Sequence, residues 1–212
     1  MPSQAMLDAI DTLRDRREAS ASQPSPTLAE RRAAFTPGDR LNPVPDDVVV
    51  REVRAGGVPA HWLAAPGVAL LVAARDAGEE LPAAAALMSP TVDLSSSGDS
   101  MTERVGQDPI STPAALGQFA ADYLSGADPR APLASPLFAA LTGLPPILIQ
   151  VGTADLLLSD SQRLAAAAGE AGVDVRLEIG EGLPHVYQHV LGTPEAAAAT
   201  ERIGKFLRAR VP

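Results

Sequence analysis

Two residues of this 212-residue sequence have the types and the setting to move a proton together: Asp155 and His185. The apolar run Ile147-Leu148-Ile149-Gln150-Val151 ends in Gly152-Thr153-Ala154-Asp155. His185 follows thirty positions later in a Gly182-Leu183-Pro184-His185 turn, just past the alternating stretch 175–179. A carboxylate at the end of one strand can meet a histidine in the loop after the next. The acid then holds the imidazole in one tautomer, and the ring can act as a base. The competing reading is an Asp that caps the following helix and an exposed loop His. Residue type, spacing and flanking strands together favour the pair.

The settings of both residues resemble a known family. Gly152-x-x-Asp155-x-Leu157-x-x-Asp160 and Gly182-x-Pro184-His185-x-Tyr187 are similar to the acid and base segments of α/β-hydrolases, in particular the hormone-sensitive-lipase-like carboxylesterases. The resemblance extends to Ser89-Pro90-Thr91-Val92-Asp93-Leu94, similar to the family's S-P-W-x-D-L, and to 128–136, similar to its D-P-x-x-S-P segment. It implies a Ser, Asp, His order of triad residues along the chain. It also implies a small acyl ester as substrate, with no cofactor and no metal. The fold expected is α/β: a truncated α/β-hydrolase, mostly parallel sheet with an N-terminal antiparallel hairpin and flanking helices. One domain is expected over 1–212, with a helical cap segment at 1–42, the hairpin at 43–66 and the C-terminal part of the hydrolase fold at 67–212.

The attacking half of such a site is missing from the sequence. No G-x-S-x-G occurs, and none of the three histidines is followed by glycine as the family's oxyanion loop requires. The nearest imitation, Gly98-Asp99-Ser100-Met101-Thr102, lacks the second glycine, so Ser100 is not expected to attack. Ser159, Ser161 and Asp160 open a helix, where capping accounts for Ser159 or Asp160; for Asp160 a supporting role beside the pair is the alternative. His61 and His189 are read as incidental, and three dispersed histidines make a poor metal site. Residues 67–78 resemble the family helix behind the nucleophile turn, yet they directly follow the early Ala65-Pro66-Gly67 loop. An internal deletion near Gly67 is the expectation. The chain is then an ester hydrolase by family with only acid and base left, inactive as it stands. The alternative is a non-catalytic remnant serving as a binding or self-association module.

Composition bounds the partners. The net charge is −9 with no basic patch, which argues against nucleic acid or an anionic membrane. There is no cysteine, so disulfides and thiolate chemistry are excluded. No signal pattern or apolar span is seen, and a cytoplasmic protein is expected. Only 3% of residues are aromatic, so the core must be mostly Ala, Val and Leu.

The elements that position the pair follow from periodicity and punctuation. A first helix is expected over 5–18, with Met6, Ile10 and Leu13 on one face. A second, over 28–35, is announced by the Thr27/Glu30 capping-box spacing. Both are read either as a cap over a substrate pocket or as cover for a sheet face. Strands at 48–53 and 58–64 flank Ala55-Gly56-Gly57. A buried strand is expected at 81–89, and a helix from Thr112-Pro113 with Leu116, Phe119, Ala120 and Tyr123 inward. A wetter strand at 175–179 lies near the sheet edge, with Val175, Leu177 and Ile179 opposed to Arg176 and Glu178. A last helix opens at Pro194, with Ile203, Phe206 and Leu207 on its core face. Because the deletion would remove the middle of the sheet, an apolar patch and homo-oligomerisation are expected.

Overall fold

A computed structural model of the chain describes residues 1–21, 27, 30, 53–55, 58–60 and 67–210. In chain order its elements are α1 (Gln4–Ala21), β1 (Val53–Ala55), β2 (Val58–Ala60), α2 (Gly67–Asp76), β3 (Ala85–Met88), α3 (Ser100–Glu103), α4 (Pro113–Leu124), β4 (Ile147–Gly152), α5 (Leu158–Glu170), β5 (Val175–Gly180) and α6 (Pro194–Arg208). β1 and β2 pair antiparallel, as the hairpin signal predicts. The outer parts of both expected strands lie outside the described residues. β3, β4 and β5 form a parallel sheet in that spatial order.

β4 is buried at all six positions, as an apolar strand with parallel neighbours on both sides must be. Its period of two separates the faces of the sheet. Ile147 and Ile149 face a core made with Val68, Leu71 and Val72 of α2 and Leu164 and Ala168 of α5. α2 is apolar on nearly every side. Val68, Leu71 and Val72 are buried in one core with the sheet and α5, and Arg75 at the end of α2 donates to the carbonyls of Ala140 (2.6 Å) and Thr142 (2.8 Å).

On the other face, Gln150 Nε2 donates to the Ala199 carbonyl of α6 at 3.2 Å. There Met6 and Ile10 of α1 close a second core with Leu183, Tyr187 and Ala199. Burying Met6, Ile10 and Leu183 contributes about 1.5–3 kcal/mol each. α1 thus packs on α6 and on the segment 183–187 that carries His185. Ser3 sets its start, accepting from Met6 N at 3.3 Å and donating to Glu195 Oε2 of α6 at 2.8 Å. The helix runs past the expected residue 18 to Ala21, and its Arg17 donates to the Asp108 carbonyl.

Local signals elsewhere are realised. Thr112 accepts from Ala115 N (3.1 Å) and Thr193 from Ala196 N (3.3 Å), each before a helix-opening proline. The Thr27/Glu30 box is formed, with Thr27 N donating to Glu30 Oε2 at 2.7 Å and Glu30 N to Thr27 Oγ1 at 3.3 Å. The rest of that expected helix lies outside the described residues. Two faces differ from expectation. On α4 only Ala120 is buried. Phe119 and Tyr123 are 39% and 51% exposed and stack on each other at 6.4 Å instead of entering the core. On β5, Ile179 is 44% exposed while Glu178 is drawn inward, because Arg202 of α6 and Gln150 of β4 both donate to its Oε2 (2.7 and 2.9 Å). Among the described residues no helix is long and apolar enough to cross a membrane.

Candidate functional site

The carboxyl ends of β4 and β5 carry the two residues singled out by the sequence. Asp155 lies in the turn between β4 and α5, and its side chain is fully buried. His185 lies after β5, with 20% of its side chain exposed. The structure brings them together: His185 Nδ1 is 3.3 Å from Oδ1 and 3.2 Å from Oδ2 of Asp155. Asp155 Oδ1 also accepts from Leu157 N at 2.8 Å, which holds the carboxylate still. With Nδ1 occupied by the acid as a donor, Nε2 is the ring atom left to take a proton.

The loop that carries His185 is fastened to the end of β4. Thr153 N donates to Gly180 O (2.9 Å), Gly182 N to Thr153 Oγ1 (2.7 Å) and Ala154 N to Leu183 O (3.1 Å). Beyond the histidine, Val186 N donates to Ser89 Oγ at 3.0 Å. Both partners in that bond have left-handed backbone, Ser89 at φ +47° and Val186 at φ +42°. A β-branched residue there is strained, and such strain persists only where surrounding contacts overdetermine it.

A third polar group completes the cluster. One carboxylate oxygen each of Asp108 and Asp155 and a ring nitrogen of His185 all lie within 4.8 Å of one another. Asp108 is fully buried. Its Oδ1 accepts from Ile110 N (2.8 Å) and Ser111 N (3.0 Å), and its Oδ2 faces Leu156 N at 3.4 Å. Burial pushes the Asp108 carboxyl up, and the Asp155 charge adds to this, against the amide hydrogen bonds and His185. Burial works to lower His185, but the hydrogen bond and charge of Asp155, with the charge of Asp108, outweigh it and raise the imidazole above the ordinary histidine value. Two carboxylates and an imidazole are a donor set a divalent cation could use. Here the amides of residues 110, 111, 156 and 157 already occupy much of the carboxylate capacity.

The remaining candidates do other work. Ser100 is 2% exposed; its Oγ donates to Leu156 O (2.6 Å) and accepts from Ser159 N (3.0 Å). It serves the first turn of α5 from outside. Ser100→Ala leaves both groups without that partner and is expected to cost about 1–2 kcal/mol in urea unfolding; an unchanged midpoint would contradict that role. Neither Ser159 nor Asp160 caps α5, which is a correction. Both lie within the helix, Ser159 Oγ accepts from Ser100 N (2.9 Å), and Asp160 Oδ2 accepts from Val92 N (2.9 Å) and Asp93 N (3.1 Å). Ser161 is buried within α5. His189 is exposed on a short 3-10 turn, and His61 lies outside the described residues. Sequence reasoning missed Asp108 and Ser89. Their local signals, an Asp-Pro turn and the serine that opens the 89–94 motif, say nothing of partners far along the chain.

The alpha/beta hydrolase fold family matches residues 54–189. An acetyl-hydrolase of Streptomyces hygroscopicus is 47% identical over 144 residues, covering 66% of this chain and 48% of its own length. An esterase of Acinetobacter venetianus is 34% identical over 141 residues, covering 66% and 46%. A solved esterase from the bacterial hormone-sensitive lipase family superposes with a TM-score of 0.67 at 46% identity, covering 68% of this chain and 49% of that one. The chain spans about half the length of these relatives.

Proposed function

The chain belongs to the α/β-hydrolase fold family, and from that premise we propose that it carries the acid and base of a carboxylic ester hydrolase, Asp155 and His185, without the serine that attacks. The observation behind this reading is His185 Nδ1 set against the buried carboxylate of Asp155. In ester hydrolysis such an imidazole takes the proton of the attacking hydroxyl at Nε2, and the carboxylate steadies the imidazolium formed. The absence of G-x-S-x-G from the sequence supports the second half of the proposal. So does the hydrogen bonding of the nearest imitation, Ser100, whose hydroxyl is already engaged at the start of α5. An internal deletion near Gly67 is in keeping with the half-length match to relatives. The names of those relatives make short acyl esters, acetyl esters first, the substrates to try.

The test is to incubate the purified chain with a nitrophenyl acetate and, separately, a fluorophosphonate probe. The expected result is no initial burst, no covalently labelled serine, and turnover at least a thousandfold, on the order of what losing a nucleophile removes, below that of an intact relative. Turnover together with a labelled serine would overturn the proposal and identify the nucleophile directly.

A further inference from the structure

The chemistry proposed above uses one carboxylate, yet a second buried carboxylate stands beside it. We infer that Asp108 is a positioning residue for the Asp155–His185 pair. It braces the turn that carries Asp155 and adds a second negative charge facing the imidazole. This inference rests on the proposed acid–base role of that pair.

Three observations carry it. Asp108 is fully buried, and burying a carboxyl group is costly unless a specific structure uses it. Its two oxygens are divided between two segments. Oδ1 holds its own loop through Ile110 N and Ser111 N, and Oδ2 faces Leu156 N, the residue after the acid. Its carboxylate lies within 4.8 Å of both Asp155 and His185 ligand-type atoms. The corner is further tied to the N-terminal helix, because Arg17 of α1 donates to the Asp108 main-chain oxygen. The charges acting on the imidazole are those of Asp155, from the β4–α5 turn, and Asp108, from the loop between α3 and α4; both favour its protonated form. When His185 takes a proton at Nε2, the cluster passes from two carboxylates facing a neutral ring to two carboxylates facing a cation. Asp108 lowers the cost of that step without touching the proton that moves.

The experiment is a side-chain NMR titration of the full chain. The ring nitrogens of His185 are followed in the wild type, Asp108→Asn and Asp155→Asn, and the side-chain carboxyl carbon of Asp108 is followed in the wild type. Asn at 108 keeps an amide oxygen for Ile110 and Ser111, removes the charge, and replaces the oxygen facing Leu156 N with an NH2 group. The His185 midpoint is expected to fall by about one pH unit in Asp108→Asn, with the Nδ1–H tautomer retained. In Asp155→Asn the midpoint falls and the tautomer preference is lost. The Asp108 carboxyl resonance in the wild type shows an inflection at the His185 midpoint, a readout that needs no variant to fold. An unchanged His185 midpoint in Asp108→Asn, or no such inflection in the wild type, overturns the inference. If Asp155→Asn also leaves His185 unmoved, the acid–base pair itself fails; if only Asp108 is silent, the pair stands and Asp108 is structural filling.

Discussion

Gly152→Ala is expected to destabilise the chain by more than about 3 kcal/mol in urea unfolding followed by circular dichroism. A Cβ at position 152 would sit 1.8 Å from Leu183 O, 2.4 Å from Leu183 C and 3.1 Å from Pro184 O. These are backbone atoms, so no rotamer change relieves the clash. The 183–184 segment would have to move, and Leu183 O is the acceptor for Ala154 N next to the acid. His185 is two residues further on. A methyl group at the end of β4 therefore breaks the contact that brings His185 to Asp155. Gly117→Ala is the matched control. It lies inside α4 with nothing within 4 Å, and should stabilise by about 0.5–1 kcal/mol, the helix preference of Ala over Gly. A Gly152→Ala chain as stable as the wild type would mean that the loop bearing His185 does not rest on β4.

The second large effect is on pH dependence and belongs to Asp160. Burial raises its carboxyl to about 6, with the nearby Asp93 charge adding, against the amide bonds from Val92 and Asp93 and the charge of Arg163. Asp93 beside it is held down to about 2: burial opposes this, but Ser95, Ser97 and Arg163 outweigh burial. An acid whose folded value is raised keeps its proton longer in the folded state. Its favourable contribution is complete below the unfolded value near 4 and is lost as pH rises through about 6. The wild type is thus expected to lose about 3 kcal/mol between pH 4 and pH 7 from this group alone. His185 has the same sign in the next window, since a raised imidazole stabilises below about 6.5 and ceases to do so as pH rises through its higher folded value. Asp93 works oppositely, stabilising above its unfolded value and failing only as pH falls toward 2. Asp160→Asn retains an oxygen for the Val92 and Asp93 amides and cannot ionise. Urea midpoints for this variant should fall less steeply from pH 4 to 6 than those of the wild type, with the raised Asp108 left to contribute a slope of the same sign, and it should exceed the wild type at pH 7. A variant with the wild-type slope would assign the pH dependence elsewhere.

The two effects differ in how far the sequence could foresee them. Asp155 and His185 were readable because each sits at a strand end, and strand ends are announced by apolar runs giving way to Gly and Pro. The helix start at Thr112 was readable because a helix cap is completed within three residues. Asp160 was misread by the same logic. Its position suits a cap, but the start of α5 is already served by Asp155 through Leu157 N and by Ser100 through Ser159 N. Phe119 and Tyr123 were misread because a helical stripe shows which residues could be buried, not whether anything packs on them.

The sequence by itself determined the order of the main strands and helices, the proline-led helix start at Thr112, and the local settings of Asp155 and His185, because all of these depend on chemistry repeated or completed within a few residues. Tertiary structure alone decided that Asp108 stands beside the pair, that Ser89 holds Val186, next to His185, from 97 positions away, and that Gly152 must have no side chain. Those depend on which backbone atoms meet once the sheet has formed, and local pattern carries no record of separations through space.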